Sequence, residues 1–350
     1  MRRRRSLGGG FSPRKLFAAG TQGAWYDPSD YSTLFQDSAG ATPVTAVEQS
    51  VRLMRDKSGN SNHATAPSDA SRPVLRARYN NFVATTTLAT QSVTTLAASY
   101  KLSFTGAGTV TLSGTNVGVY SAGTNTITCT AGTLTATVAG TVTNADLRLT
   151  STATSMPAYQ LVTTSTNYDT VGFLRYLAFD GTDDSFSTSS INFTSTNKML
   201  VCAGITKLSD ASLAMLAETS TNSGGNNGAF GFRAPYNAAT ADYGLLSNGT
   251  AAAGATATSF VAPITNVVTG IANIAGPAVT LRVNATQVAN VTTSQGTGNY
   301  GNYPLYIGRR GNASFPFNGR MYQLIVCGKT LTSAELASTE AFVNTRTGAY

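Results

Sequence analysis

Charged residues make up only 11% of this 350-residue chain; histidine and tryptophan occur once each, cysteine three times and glutamate four times. With His63 as the single histidine and no Gly-x-Ser-x-Gly elbow, a nucleophile-histidine triad and a histidine zinc site both lack their parts. His63, in "DKSGNSNHATA", reads as a loop residue hydrogen-bonded to the Asp56 turn. Cys129, Cys202 and Cys327 stand far apart among apolar neighbours, which suits buried strand positions and supports neither a disulfide framework nor a zinc cluster. Glycosidases need two carboxylates about 5 to 10 Å apart. The glutamates Glu48, Glu218, Glu335 and Glu340 show no Glu-x-Asp-x-x-Glu spacing, so no glycanase pair is visible. The glycine-rich "NSGGNNG" lacks the Lys-Ser/Thr of a phosphate loop. No apolar run approaches the roughly 18 residues of a membrane span, and none follows the N-terminal arginines as an export signal would. These features lead us to expect synthesis in a reducing cytoplasm, no membrane and no enzyme.

The net charge of +8 is concentrated at one end. Arg2, Arg3, Arg4, Arg5, Arg14 and Lys15 precede the first acidic residue and leave +2 for the rest. The body carries no basic patch interleaved with aromatics, which argues against nucleic acid as a partner. A basic arm over residues 1–20, in which Gly8-Gly9-Gly10 follows the run of arginines, is expected to dock on an acidic protein surface, with Trp25 as a core or interface anchor beside it.

What the chain has in abundance is Thr, Ser, Ala, Gly and Asn in short alternating runs. Residues 84–163 alternate small apolar and hydroxyl side chains, as in "YKLSFTGAGTVTLSG" and "TITCTAGTLTATVAGTV", with Gly106-Ala107-Gly108 and Ala131-Gly132 read as turns. This pattern predicts a small β-sandwich. On either side, strands are predicted at Arg175–Phe179, Ser185–Ser187, Met199–Ile205, Gly228–Arg233, Val279–Val283, Gln287–Val291, Leu305–Gly308 and Gly319–Val326. One helix is expected in "TSAELASTEAFVNTRTG", with Thr332 and Glu335 forming a capping box, Leu336, Phe342 and Val343 on the apolar face, and Gly348 ending it.

Five segments in order, "WYDPSDYSTLFQDSAGATPV", "LMRDKSGNSNHATA", "RPVLRARYN", "YLAFDGTDDSF" and "FNGRMYQLIVCGKTLTSAELASTEAFVNTRTG", resemble the landmarks of laminin-G-like, concanavalin A-like jelly-roll modules of tailed-bacteriophage structural proteins. The resemblance runs from Gly23 to Gly348. In that group "RPVL" leads shortly into the "FDG" hairpin, whereas here the Thr/Ala-rich segment intervenes, resembling an inserted Ig-like or carbohydrate-binding-like sandwich. The fold implied is all-β: a jelly roll over residues 21–83 and 164–350, interrupted by the insert, with one C-terminal helix. The resemblance further implies a non-enzymatic virion protein, made in the host cytoplasm, with capsid or tail proteins as partners and assembly as an oligomer such as a trimer. Its job would be a tail or head fibre that contacts host-surface glycans, or a capsid decoration protein without a glycan ligand. A glycan hydrolase is the third alternative.

Within this frame "FDGTDD" reads first as a hairpin turn, because Asp180-Gly181 supplies a positive φ and an acceptor for turn amides. The alternative, as in some laminin-G relatives, is a calcium site on Asp183 and Asp184, the one cofactor considered. If strand-like, these neighbours would point to opposite faces. For a sugar ligand the candidates are aromatic and amide side chains on polar loops: Tyr236, Asn237, Asp242 and Tyr243 in one segment, and Asn299, Tyr300, Asn302 and Tyr303 in another. The same loops would equally serve an oligomer contact or no partner.

Overall fold

The computed structural model describes residues 10–83, 86–151, 156–163, 167–311 and 313–350; the Arg2 to Arg5 part of the arm lies outside them. Two large antiparallel sheets pack face to face as a jelly roll. The front sheet has eight strands, ordered Thr286–Val291, Ala278–Val283, Ile264–Asn273, Lys198–Lys207, Asn318–Cys327, Tyr176–Asp180 and Val74–Arg76, with Gly23–Tyr26 also on Asn318–Cys327. Gly23–Tyr26 and Tyr176–Asp180 share one edge of that central strand, pairing Gly23 with Cys327 and Asp180 with Asn318. The back sheet has nine strands and runs from Ala252–Ala257 through Tyr243–Asn248, Ala229–Arg233, Met215–Thr219, Asn302–Ile307 and Phe186–Asn192 to three short strands that end at Leu34–Phe35.

Strand parity explains the layers. In Lys198–Lys207, Met199, Val201, Ala203 and Ile205 enter the core between the sheets, where Phe230, Phe232 and Leu245 meet them. Leu200 and Cys202, of the other parity, lie beneath the helix α1 (Ser333–Thr347), with Trp25, Ile325, Cys327 and Val343. The helix has the expected capping box and ends at Gly348 in the left-handed region. Its last turn sits so close to the sheet that a Cβ on Gly204 would come 1.8 Å from Thr347 Oγ1. Trp25 is therefore not a free docking handle: it is 6% exposed, packed edge-on against Phe342 with Lys57 over its ring. Arg14 and Lys15 are exposed on a short 3-10 turn, Pro13–Gly20, that Leu16 and Phe17 pin to the same cluster.

The insert is one hydrogen-bonded sheet of five strands, Thr143–Leu149, Ala98–Gly114, Gly132–Ala139 and Gln91–Thr95 in order, with Gly118–Cys129 on the other edge of Ala98–Gly114. Gly106-Ala107-Gly108 is not the expected turn. The strand continues through it, with a bulge between Phe104 and Thr109 that bends the sheet over its own core of Tyr100, Leu102, Phe104, Val110 and Leu147. Gly106 has φ +107°, and a Cβ there would meet the Thr141 carbonyl at 2.3 Å.

Both ends of the insert are tied into the jelly roll by buried amides. Asn80 Nδ2 donates to the Ala145 and Gln160 carbonyls, and its Oδ1 accepts from Phe82 N and Leu147 N. Gln160 Oε1 accepts from Tyr79 N and Asn80 N, while its Nε2 donates to the Ala77 and Tyr168 carbonyls. A fully satisfied buried network of this kind holds one geometry. It sets the insert strand Gln91–Thr95 beside Arg76, Tyr176 and Arg320 of the front sheet.

Candidate functional site: an arginine and tyrosine cleft beneath the insert

The loop residues expected to bind sugar do not form one site. The 234–242 and 222–228 segments flank opposite ends of Ala229–Arg233, so Tyr236, Asn237, Asp242 and Tyr243 lie a strand length away from the other group. Near the 222–228 loop, Tyr303 Oη donates to the Asn227 carbonyl and Asn299 Nδ2 to the Thr194 carbonyl. Two tyrosines are core residues: Tyr300 is 1% exposed with its hydroxyl on Ser247 Oγ, and Tyr243 is fully buried and accepts from Asn266 Nδ2. Neither offers a ring face to a ligand. Asp242, also buried, braces its loop by accepting from Tyr236 N, Asn237 N and Asn237 Nδ2. Asn237, Asn299 and Asn302 are exposed, and Tyr236 and Tyr303 half-buried.

"FDGTDD" is a turn. Asp180 Oδ1 accepts from Thr182 N and Asp183 N, Gly181 has φ +76°, and Phe179 and Phe186 are in the core. Because the segment is a turn and not a strand, Asp183 and Asp184 converge: one oxygen from each of Asp180, Asp183 and Asp184 lies within 4.8 Å of the others. Asp184 is buried and accepts from Asp180 N. Burial, then the charges of Asp180 and Asp183, push its carboxyl up to about 7. These all-oxygen donors suit calcium in kind, but three carboxylates fall short of the roughly six to eight ligands that ion takes. His63 Nδ1 accepts from Asp56 N, in keeping with a loop role.

A different set of residues forms a concave site on the outer face of the front sheet. Arg320 lies on the outer face of the central front strand, opposite Ala178. Its guanidinium stacks on Tyr176 at 4.6 Å and on Tyr79 at 5.2 Å. These tyrosines and Tyr322 are held by their hydroxyls: Tyr79 donates to the Leu174 carbonyl, Tyr176 to the Arg78 carbonyl, and Tyr322 shares a hydrogen bond with Thr206 Oγ1. Arg320 Nη1 is buried without a hydrogen-bond partner, and among the described residues no carboxylate reaches ion-pair distance of this guanidinium.

Arg320, Arg76 and Tyr176 line two adjoining hollows of about 530 and 440 Å³. The larger lies where insert meets jelly roll, with Asn81, Ser92 and Thr94 on the insert side and Glu48 and Arg78 on the other. The smaller runs to Asp180 and Asp184. Arg78 is committed to the carbonyls of Asn80, Asn81 and Phe82, while Arg76 is exposed and faces Glu48 at 3.4 Å. Sequence reasoning passed over these residues. The available signal was a basic side chain at outward positions of otherwise apolar strands, in "VLRARYN" and "NGRMYQLIVC".

Neither a protein-family model nor a curated protein matches the chain. Among solved structures it is similar to CBM40 of the Ruminococcus gnavus IT-sialidase bound to α2,3-sialyllactose, at 14% identity and TM-score 0.34, covering 44% of this chain and 97% of that one. It is also similar to the native heptameric SAP-like pentraxin of Limulus polyphemus (12%, TM-score 0.37, covering 48% and 80%). A third is the binding domain of botulinum neurotoxin DC in complex with SialylT (10%, TM-score 0.37), where the match covers 50% of this chain and 44% of that one. Likenesses at these scores carry no inference about a ligand.

Proposed function

We propose that this chain is a non-enzymatic, saccharide-binding protein of the surface of a tailed-bacteriophage particle, a tail or head fibre component that contacts host glycans. The virion setting rests on the order of its sequence landmarks. The saccharide reading is carried by the cleft beneath the insert, where a tyrosine, guanidinium groups, an amide and hydroxyls line a hollow of about 530 Å³. Such rigid polar surroundings suit a sugar, whose hydroxyl pairs need matched donors and acceptors; Tyr176, 3% exposed, supports Arg320 and offers no ring face of its own.

The state of the glutamates supports a binding role over hydrolysis. Glu218 pairs with Arg310 at 2.9 Å, Glu340 with Arg282 at 2.8 Å, and Glu335 closes the helix cap; Glu48, at the cleft, faces Arg76. The hydrolase alternative falls to Asp180 and Asp184, whose oxygens are close enough for a retaining pair but accept turn amides. Two measurements test the proposal. Purified protein is applied to a glycan array together with a reducing-end release assay, and binding without release is expected; release abolished by Asp184→Asn would replace the binding reading with hydrolysis. Quantitative mass spectrometry of particles then gives the copy number. Hundreds of copies with no glycan bound would mean decoration, and a handful in multiples of three or six a fibre.

A further inference from the structure

We infer that the cleft is an oxyanion receptor and that the saccharide it takes is acidic, carrying a carboxylate, sulfate or phosphate that Arg320 anchors and Arg76 flanks. This rests on the saccharide reading above and narrows it.

Arg320 lacks an acidic partner among the described residues. A guanidinium carries five N–H donors and a permanent charge, and both are expensive to leave unpaired away from bulk water. Among the described residues several other enclosed cations have an acid: Arg310 has Glu218, Arg282 has Glu340, Arg148 has Asp146, and the fully buried Lys207 has Asp210; Arg233, over the Tyr236 ring with Nε unpartnered, shares the state of Arg320 but lines neither hollow. Arg320 has tyrosine faces instead, with Nη1 buried and unpartnered. The Tyr176 and Tyr79 rings, edge to face with each other, hold the guanidinium in place; Tyr322 offers it a side-chain hydrogen bond, while Nη1 keeps no partner. A planar fork held in place by aromatic stacking, with donors unspent at a concave surface, is preorganised for an oxyanion.

The surroundings agree. Arg76, on the neighbouring edge strand, lines the same two hollows and is open to solvent, with only the half-exposed Glu48 opposite. Arg78 keeps its donors on backbone carbonyls and contributes charge rather than a contact. Asn81, Ser92 and Thr94 across the hollow supply neutral groups for the hydroxyls of the same ligand. A phosphate or carboxylate seated on Arg320 would thus bring its sugar against the insert.

The test is a glycan array of neutral, carboxylated, sulfated and phosphorylated saccharides, followed by titration calorimetry on the best binder and its neutral analogue at low and high NaCl. Acidic glycans are expected to bind at least tenfold more tightly than neutral ones, with affinity falling as salt rises. Arg320→Met, which keeps the stem packed between the tyrosines, should abolish that preference. Arg320→Lys should retain part of it for phosphate or sulfate but lose it for carboxylate, which needs the bidentate fork. Arg76→Gln, at an exposed position, should weaken acidic ligands severalfold and serves as the decisive variant if the Arg320 substitutions misfold. Neutral glycans bound as well as acidic ones, or acidic binding unchanged in Arg320→Met and Arg76→Gln, would overturn this inference and leave the saccharide reading standing. An array with no bound glycan of any kind would overturn both.

Discussion

Asp184 makes the stability of the jelly roll depend on pH in the direction opposite to an ordinary salt-bridged carboxylate. Its folded-state pKa is about 7, raised by burial and by Asp180 and Asp183, against an ordinary aspartate value of 3.8. The folded protein therefore holds a proton that the unfolded chain has released between these values. The contribution of this carboxyl is greatest below about pH 4, falls as pH rises toward 7 and is flat above, while Asp30, Asp37 and Glu335, with lowered pKa values, lose theirs only in the acid range. At about 1.4 kcal/mol per pH unit the full span is about 4 kcal/mol, and solvent screening at a turn reduces it to about 2 kcal/mol. The perturbation is Asp184→Asn, which keeps the acceptor for Asp180 N and removes the charge. Urea unfolding followed by tryptophan fluorescence, in chelator, at pH 5 and pH 8 measures it. The variant should be more stable than the parent by about 2 kcal/mol at pH 8, and the difference should shrink at pH 5. A parent whose stability rises between pH 5 and pH 8 in chelator, or a variant no better at pH 8, would refute the reasoning. Calcium added at pH 8 adds a separate arm: if the trio takes the ion, calcium should stabilise the parent and not the variant.

Three further outcomes follow from the packing. Tyr300→Ala should cost about 3 to 5 kcal/mol, as for other large aromatic truncations in a core, whereas Tyr303→Ala should leave the melting temperature nearly unchanged; equal effects in thermal melts would contradict the burial of Tyr300. Gly204→Val should destabilise by about 1 to 3 kcal/mol through overpacking against Thr347 and loosen α1, read as faster amide exchange in the helix, and unchanged exchange would show that the contact is slack. Deletion of residues 1–9 should abolish incorporation into particles while leaving the melting temperature unchanged; deletion through Lys15 is a poorer test because it also removes Phe11, which packs against the cluster beneath α1. Normal incorporation of the shorter deletion would remove the arm's docking role.

The parts of the fold legible in the sequence are those whose signal is local. "MYQLIVC" is an unbroken and mostly apolar run, buried at every position rather than alternating, and the Thr332 and Glu335 cap is three residues wide, so both elements stand where their own residues put them. Met215–Thr219 and Ile264–Asn273 are almost wholly buried and therefore show no alternation to read. In the first, Glu218 disguises a core strand as a polar one, because the arginine that neutralises it is 92 residues away. Tyr243 and Tyr300 misled for the same reason: each sits in a stretch of Asn and Gly that resembles a surface loop, and the groups that satisfy their hydroxyls, Asn266 and Ser247, come from other strands.

The cleft is the extreme case of this non-local problem. Its guanidinium comes from Arg320, and its tyrosines from Tyr79, Tyr176 and Tyr322, three strand or loop segments separated by most of the chain. What the sequence does display is the interruption between "RPVLRARYN" and "YLAFDGTDDSF". Without the insert, Arg76, Tyr176 and Arg320 would lie on an open sheet face; with it, Asn80 and Gln160 lock a second wall above them. The Thr/Ala-rich interruption is thus a second local sign of the site, beside the arginines at outward strand positions in "VLRARYN" and "NGRMYQLIVC". It explains why the residues of interest cluster at the junction and not on the loops at either end of the back sheet.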